Sequence, residues 1–365
     1  MIKEAFAVCV LAFCVCYVYL DMDFPYHFNT HHPGVCKVLD TRGSEDIHVT
    51  ASGQAFITSG GKTNAGSYKV QDYFKDNNIK GRILLYNFRD AEQEVVSLKI
   101  ITDGTTGFDL DNFYPHGISV LEDKVKGEHL VYVINHPSGK SDGVEKFRFS
   151  PKTHELVHLR SITDAMLWTT NDLAVVSEDH FYISNWLYST YNLVISVEVL
   201  LALPIHALLY YNGSQFTQVA SGLSMPDGVH VSSDGTHVYV ANSRPRQVLV
   251  YEVKADHSLH LVQRVQLTCS PDNLSQSEDD LLVGCVTLMY RALGALDDPK
   301  KKAPSRILKL PLEKGLIQSE NISELFYDQS DLISFASVGV AYNNSLLIGS
   351  LMDTLVLCEP DAQLH

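Results

Sequence analysis

Apolar runs recur in pairs along most of this chain. In each pair the first run ends in small or polar residues, a gap follows, and a second run reads back toward the surface. Residues 53–59 are followed by 82–88, 128–136 by 144–149, and 180–185 by 206–211. Residues 237–242 are followed by 247–253, 280–285 by 306–310, and 344–350 by 354–358. Short apolar runs bounded by turn residues read as strands. Six such pairs, spaced roughly 45–75 residues apart, predict an all-β fold, a six-bladed β-propeller of four-stranded blades. Ser233-Asp234-Gly235 before a strand reads as the loop of a blade hairpin. Long helical periodicity is scarce, which disfavours a parallel α/β fold. No linker rich in proline, glycine or serine interrupts the pattern, so residues 30–361 are expected to form one propeller domain.

Two segments depart from the pattern. Residues 5–20 carry no charge and are almost wholly apolar, with Lys3 before them and Asp21 and Asp23 after. Tyr17, Val18, Tyr19 and Leu20 make a poor cleavage site. Residues 1–22 are therefore expected to be an uncleaved signal-anchor, with the N-terminus cytosolic and the propeller lumenal or extracellular. A removed signal, and hence secretion, is the alternative. Residues 191–203 read YNLVISVEVLLAL, helix-like, with Glu198 as their only charge. This stretch is either a buried crossover or a helix facing a membrane or partner beside the propeller mouth.

The chain has 365 residues, of which 45% are hydrophobic and 19% charged. That composition supports a large core and excludes global disorder. Twenty-eight lysines and arginines against 43 aspartates and glutamates leave a net charge of −15. A nucleic-acid partner is not expected, because it needs basic neutralising groups. Surplus carboxylate suits cations, calcium first. Cys9, Cys14 and Cys16 lie in the apolar run; Cys36, Cys269, Cys285 and Cys358 lie beyond it. Cys36 and Cys358 stand near opposite ends of the soluble chain, and a bridge between them would tie the last blade to the N-terminal strand. Asn-x-Ser sequons occur at Asn212, Asn273, Asn321 and Asn343.

Oxygen-bearing side chains sit at strand ends and turns: Glu45 and Asp46, Asn171 and Asp172, Asp227, Asp272 and Asn273. A propeller brings such residues from distant blades around one axis, and calcium takes six to eight oxygens. Taken singly, each Asx also reads as an ordinary backbone cap. His116 in YPHGIS and His136 in INHPSG occupy similar strand ends. Each is either a structural histidine or a general base for water near pH 7.

The chain resembles the paraoxonase family of calcium-dependent arylesterases and lactonases. The resemblance rests on GSED at 43–46, FDLDNFYPHGIS at 108–119, VINHPSGKS at 133–141, NDLAVV at 171–176 and HFYISN at 180–185. It continues through SSDGTHVYVA at 232–241, PDN at 271–273, LLVGC at 281–285, LLIGS at 346–350 and VLCEP at 356–360. It implies a six-bladed propeller with two calcium ions in its central tunnel. The mouth-side ion would be held by Glu45, Asn171, Asp227, Asp272 and Asn273, and the deeper ion by Asp46, Asp172 and the carbonyl of Ile118. It implies His116 as the base, His136 as a relay behind it, a Cys36–Cys358 disulfide and an unpaired Cys285. Small esters or lactones are the implied substrates.

The chain departs from the family pattern at several positions. Asp227 stands where the family has asparagine, adding a negative charge. Trp186 stands where the family has the aspartate that orients the second histidine, and indole has no acceptor to offer an imidazole. Thr63, Met225 and Val286 replace bulkier, aromatic or imidazole lining groups. The resemblance also offers a second reading, since some membrane-anchored members act as chaperones for ion-channel subunits in the endoplasmic reticulum. The expected partners are then a small substrate, a membrane or lipid reached through residues 1–22 and 191–203, and a membrane-protein client.

Overall fold

The computed structural model describes residues 15–16, 19–20, 22–23, 26–61, 68–90, 94–123, 128–189 and 192–360. Six sheets stand around one axis, all antiparallel except that Lys99–Ile101 joins the outer strand of the second blade in parallel. Their innermost strands are Ile47–Val49, Pro115–Glu122, Thr169–Ser177, Pro226–Val231, Ser270–Ser277 and Ala336–Tyr342. Each innermost strand neighbours the next, and the sixth returns to the first. The six run pairs are the two middle strands of the six blades, so the propeller expectation holds.

The middle strands are continuously apolar because both of their faces are buried. In His237–Asn242, Val238 and Val240 pack against the third blade, while Tyr239 and Ala241 pack against the fifth. The outer strands touch one neighbour only. Phe216–Leu223 buries its first and last residues and exposes most of the rest, and such a strand is hard to recognise as apolar.

The ring is closed by the N-terminal strand. Gly34–Leu39 becomes the outer strand of the sixth blade, antiparallel to Leu355–Pro360, with Cys36 opposite Cys358. Those two cysteines are bonded across 322 residues. On the chain-entropy account a loop of this length is worth about 6 kcal/mol. Cys36→Ser should therefore lower the melting temperature by roughly 10 °C; calorimetry showing a shift under about 2 °C would mean the strand pairing alone closes the ring.

One expectation from the resemblance is corrected. Cys285 is not unpaired but is bonded to Cys269. Cys269 lies just before the innermost strand of the fifth blade and Cys285 lies in the next strand, where Pro271 is its register partner. Both are fully buried. Two disulfides belong to an oxidising compartment. Among the described residues, no helix is long and apolar enough to cross a membrane. Most of the expected anchor, residues 1–22, lies outside the described residues.

Helices α1 (Tyr68–Asp76), α2 (Asn192–Leu201) and α3 (Met289–Asp297) occupy the same connection, between the second and third strands, in blades one, three and five. In an antiparallel blade that connection emerges at the end where the innermost strand begins. All three helices therefore stand over one mouth of the axis. Asp23 reaches α3 from 266 residues away: its carboxylate accepts the N–H of Met289 and pairs with Arg246. That caps a helix whose own N-cap residue, Leu288, has no capping side chain.

The α2 helix is inverted relative to an ordinary surface helix. Its one charge, Glu198, is buried and meets the His206 ring at 3.2 Å, while Val194, Val197, Leu200 and Leu201 are exposed. The buried-crossover alternative does not describe this segment.

Candidate active site around the propeller axis

The site residues lie where the innermost strands begin, and the backbone there is irregular in a repeated way. In blades two to five the strand register slips between Pro115 and Ile118, Thr170 and Leu173, Pro226 and Val229, and Pro271 and Leu274. A bulge of this kind re-aims side chains. The residues inside the four slips are His116-Gly117, Asn171-Asp172, Asp227-Gly228 and Asp272-Asn273. Glu45 and Asp46 stand just before the first-blade strand in the equivalent place. Gly117 and Gly228 are required by close approach: a Cβ there would sit 2.7 Å from Asp172 Oδ1 and 2.6 Å from the Asp272 carbonyl oxygen, respectively.

All the scattered oxygen-bearing residues thus meet. Glu45, His116, Asn171, Asp227 and Asp272 line one cavity of about 360 Å³ at the helix-covered mouth. Asn273 is buried beside it and donates through Nδ2 to the carbonyl and Oε1 of Glu45, at 2.9 and 2.7 Å. Four oxygens of this set, Glu45 Oε2, Asn171 Oδ1, Asp227 Oδ1 and Asn273 Oδ1, are buried without a hydrogen-bond partner. Buried polar atoms are nearly always paired, so three orphans on one cavity wall, with Asn273 Oδ1 a fourth beside it, are a local exception, and hard oxygens are what calcium takes. The residues therefore fit a calcium ion. Among the described residues, no three acidic, imidazole or thiol groups form a ready-made metal cage; this set is mixed, with amide oxygens between carboxylates.

Asp46 and Asp172 lie deeper. Each accepts its following N–H, at 2.8 and 2.7 Å, and the N–H of the next blade's strand, Ile118 at 2.8 Å and Val229 at 2.7 Å. With Ile118 they also line a cavity of about 100 Å³ at the far end of the axis. Burial pushes the Asp46 carboxyl up to about 6 and Asp227 up to about 7. Burial, reinforced by the neighbouring carboxylates, holds Glu45, Asp172 and Asp272 well above the usual carboxylate range.

The two predicted histidines also come together. His116 and His136 have ring centroids 4.9 Å apart. His116 Nε2 lies 3.4 Å from Glu45 Oε1. Burial, then the neighbouring His136, holds the His116 imidazole well below its ordinary range, so it is neutral at pH 7. His136 is buried behind it and meets Asp142 Oδ1 at 3.0 Å through Nδ1. Asp142 was absent from the sequence reading, where an Asp-Gly pair before a strand is only a turn signal. Its signal was register: Asn135 pairs with Gly143 across the hairpin, so residues 136 and 142 face each other at the loop's base.

Trp186 has become cavity wall. It lines the mouth with Ile195 and Val199 of α2 and with Met225, Val286 and Met289, and its Nε1 has no acceptor. Thr63 lies outside the described residues. The sequon at Asn273 is not a glycan site: Asn273 is buried and its amide is engaged on Glu45.

This geometry can be compared with known proteins. A family model described as Arylesterase matches residues 28–360. The chain belongs to the arylesterase family. Serum paraoxonase/arylesterase 2 of Gallus gallus is 31% identical over 329 residues, 88% of this chain and 87% of that one. Serum paraoxonase/arylesterase 1 of Homo sapiens is 31% identical over 327 residues, with the same coverage. Serum paraoxonase/lactonase 3 of Homo sapiens is 30% identical over 331 residues, 90% of this chain and 89% of that one. Among solved structures the arylesterase chain is similar to a luciferin-regenerating enzyme, at 11% identity and a TM-score of 0.51, covering 89% of this chain and 94% of that one. It is also similar to a calcium-binding regucalcin from Agrobacterium tumefaciens, at 12% identity and a TM-score of 0.50, covering 90% and 95%. At such identities the structural likeness speaks for the fold alone.

Proposed function

We propose that the protein is a calcium-dependent hydrolase of aryl esters and lactones. The observation that carries this is the cluster of four unpartnered buried oxygens in and beside the cavity that a neutral imidazole also lines, in a member of the arylesterase family. Glu45, Asn171, Asp227, Asp272 and Asn273 would hold the mouth-side ion, and Asp46, Asp172 and the Ile118 carbonyl the deeper one. Bound calcium supplies a Lewis acid that polarises the substrate carbonyl and stabilises the charge developing on its oxygen. His116 is the general base: the attacking water gives a proton to its Nε2 as the water oxygen bonds the carbonyl carbon. His136 Nε2 accepts the proton that leaves His116 Nδ1. No covalent intermediate with the protein is needed. The apolar wall of Trp186, Ile195, Val199 and Met289 suits an aryl or alkyl group.

The test is hydrolysis of phenyl acetate and a δ-lactone by purified protein, with calcium and then with chelator. Asp227 gives a finer check. A third mouth-side carboxylate strengthens cation binding and damps its pull on a carbonyl. Asp227→Asn should weaken calcium binding by about tenfold, since ligand charge tunes affinity over decades, and should raise kcat. Calorimetric titration giving an unchanged calcium affinity would remove Asp227 from the ligand set.

The outward apolar side chains of α2 support contact with lipid or with a membrane-protein client beside the mouth, and residues 1–22 are proposed as the anchor that brings them there. They favour the chaperone reading only if turnover is absent while fold and calcium binding persist. Asn212, Asn321 and Asn343 are exposed and are the proposed glycan sites.

A further inference from the structure

We infer that Asp142 is the positioning residue of the histidine pair, doing here what the missing carboxylate at position 186 cannot. The inference rests on the hydrolase reading for the pair's purpose, while its geometry stands independently. Asp142 is buried, and both of its oxygens are engaged. Oδ1 meets His136 Nδ1 at 3.0 Å. Oδ2 accepts the N–H of Thr170 at 2.8 Å and its hydroxyl at 3.2 Å. Thr170 precedes the third-blade slip that carries Asn171 and Asp172. Asp142 is thus clamped between two blades and cannot swing away from the ring.

A carboxylate only accepts, so the proton of the contact belongs to His136 Nδ1. That fixes the tautomer: Nε2 of His136 carries a lone pair. Within the pair, His116 Nδ1 and His136 Nε2 are each buried without a hydrogen-bond partner, and with the rings 4.9 Å apart a proton passes from the first to the second only when the rings close up. A proton passed to His136 would create an imidazolium, and the adjacent Asp142 charge is placed to stabilise it. Trp186, whose N–H can only donate, supplies neither function.

The experiment uses the full chain with 15N-labelled histidine rings. The chain has 16 histidines, so the His136 signals are identified by their loss in His136→Gln. In the wild type His136 should be protonated at Nδ1 and bare at Nε2. In Asp142→Asn that tautomer should be lost or mixed. Phenyl acetate kcat should then fall about 10²–10⁴-fold with KM changed less than about threefold, and Asp142→Glu should recover part of the rate. A wild-type His136 protonated at Nε2 overturns the inference, even if the Asp142 variants do not fold. So does Asp142→Asn with tautomer and kcat both intact. Wild-type protein that hydrolyses nothing would sink the hydrolase reading instead, and the ring spectra would still decide Asp142.

Discussion

Replacing His116 with glutamine is expected to remove phenyl acetate and δ-lactone hydrolysis almost completely, lowering kcat about 10²–10⁴-fold, the usual worth of a positioned general base. Three observations make the effect large. The ring lines the cavity that holds the oxygen cluster. Burial keeps it neutral at pH 7, so its lone pair is free, while making it a weaker base than a free imidazole. Its Nδ1 is buried with no hydrogen-bond partner, and the His136 ring stands beside it at 4.9 Å between centroids. Glutamine matches the ring's length and keeps a polar atom near Glu45, so the fold should persist, with a melting temperature within a few degrees. Its amide cannot take a proton from water at neutral pH. The decisive comparison is kcat, KM and thermal melting on the same preparations. An unchanged rate in a folded variant would show that water is activated elsewhere. Equal loss of rate and of fold would reduce His116 to a structural role.

Much of this architecture was legible because propeller blades bury their middle strands on both faces. That produces continuous apolar runs such as HVYVAN and LLVGC, which survive without any alignment. The outer strands were not legible, since a strand like Phe216–Leu223 covers one neighbour only and keeps a polar face. The ligand residues were readable as chemistry but not as a constellation. Residue types at turns do not reveal which turns meet, and each Asx taken singly is an ordinary cap. A local repeat did carry the information: Pro115-His-Gly-Ile, Thr170-Asn-Asp-Leu, Pro226-Asp-Gly-Val and Pro271-Asp-Asn-Leu all place two polar or small residues between a strand-opening residue and an aliphatic one. Those are the four bulged strand openings. Asp142 was hidden for a different reason. Its importance comes from hairpin register, which fixes what it faces, and Asp-Gly at a loop's end has an adequate explanation as a turn. Cys285 shows the limit of resemblance, because this chain supplies Cys269 within bonding reach, just ahead of the neighbouring strand, and the thiol is consumed.

Chelation is expected to destabilise the protein strongly, and more so as pH rises. Five carboxylates, Glu45, Asp46, Asp172, Asp227 and Asp272, surround the axis, and burial raises all of them. A carboxyl whose folded pKa lies above its unfolded value near 4 contributes its full stability below that unfolded value. The contribution is lost as pH rises through the folded value, which is about 6 for Asp46 and about 7 for Asp227. The chelated protein should therefore melt progressively lower between about pH 4 and 7. Calcium reverses the sign, because it binds the ionised form and its binding adds to folding. At a thousandfold excess over Kd each ion contributes about 4 kcal/mol. Two ions would then separate the calcium-loaded and chelated melting temperatures by roughly 11 °C at pH 7, and by much less near pH 5. Differential scanning calorimetry across that range, with calcium and with chelator, measures the gap directly. A gap that stays constant with pH would mean the buried carboxylates are not the calcium ligands. No gap at all would remove the metal from both the fold and the proposed chemistry.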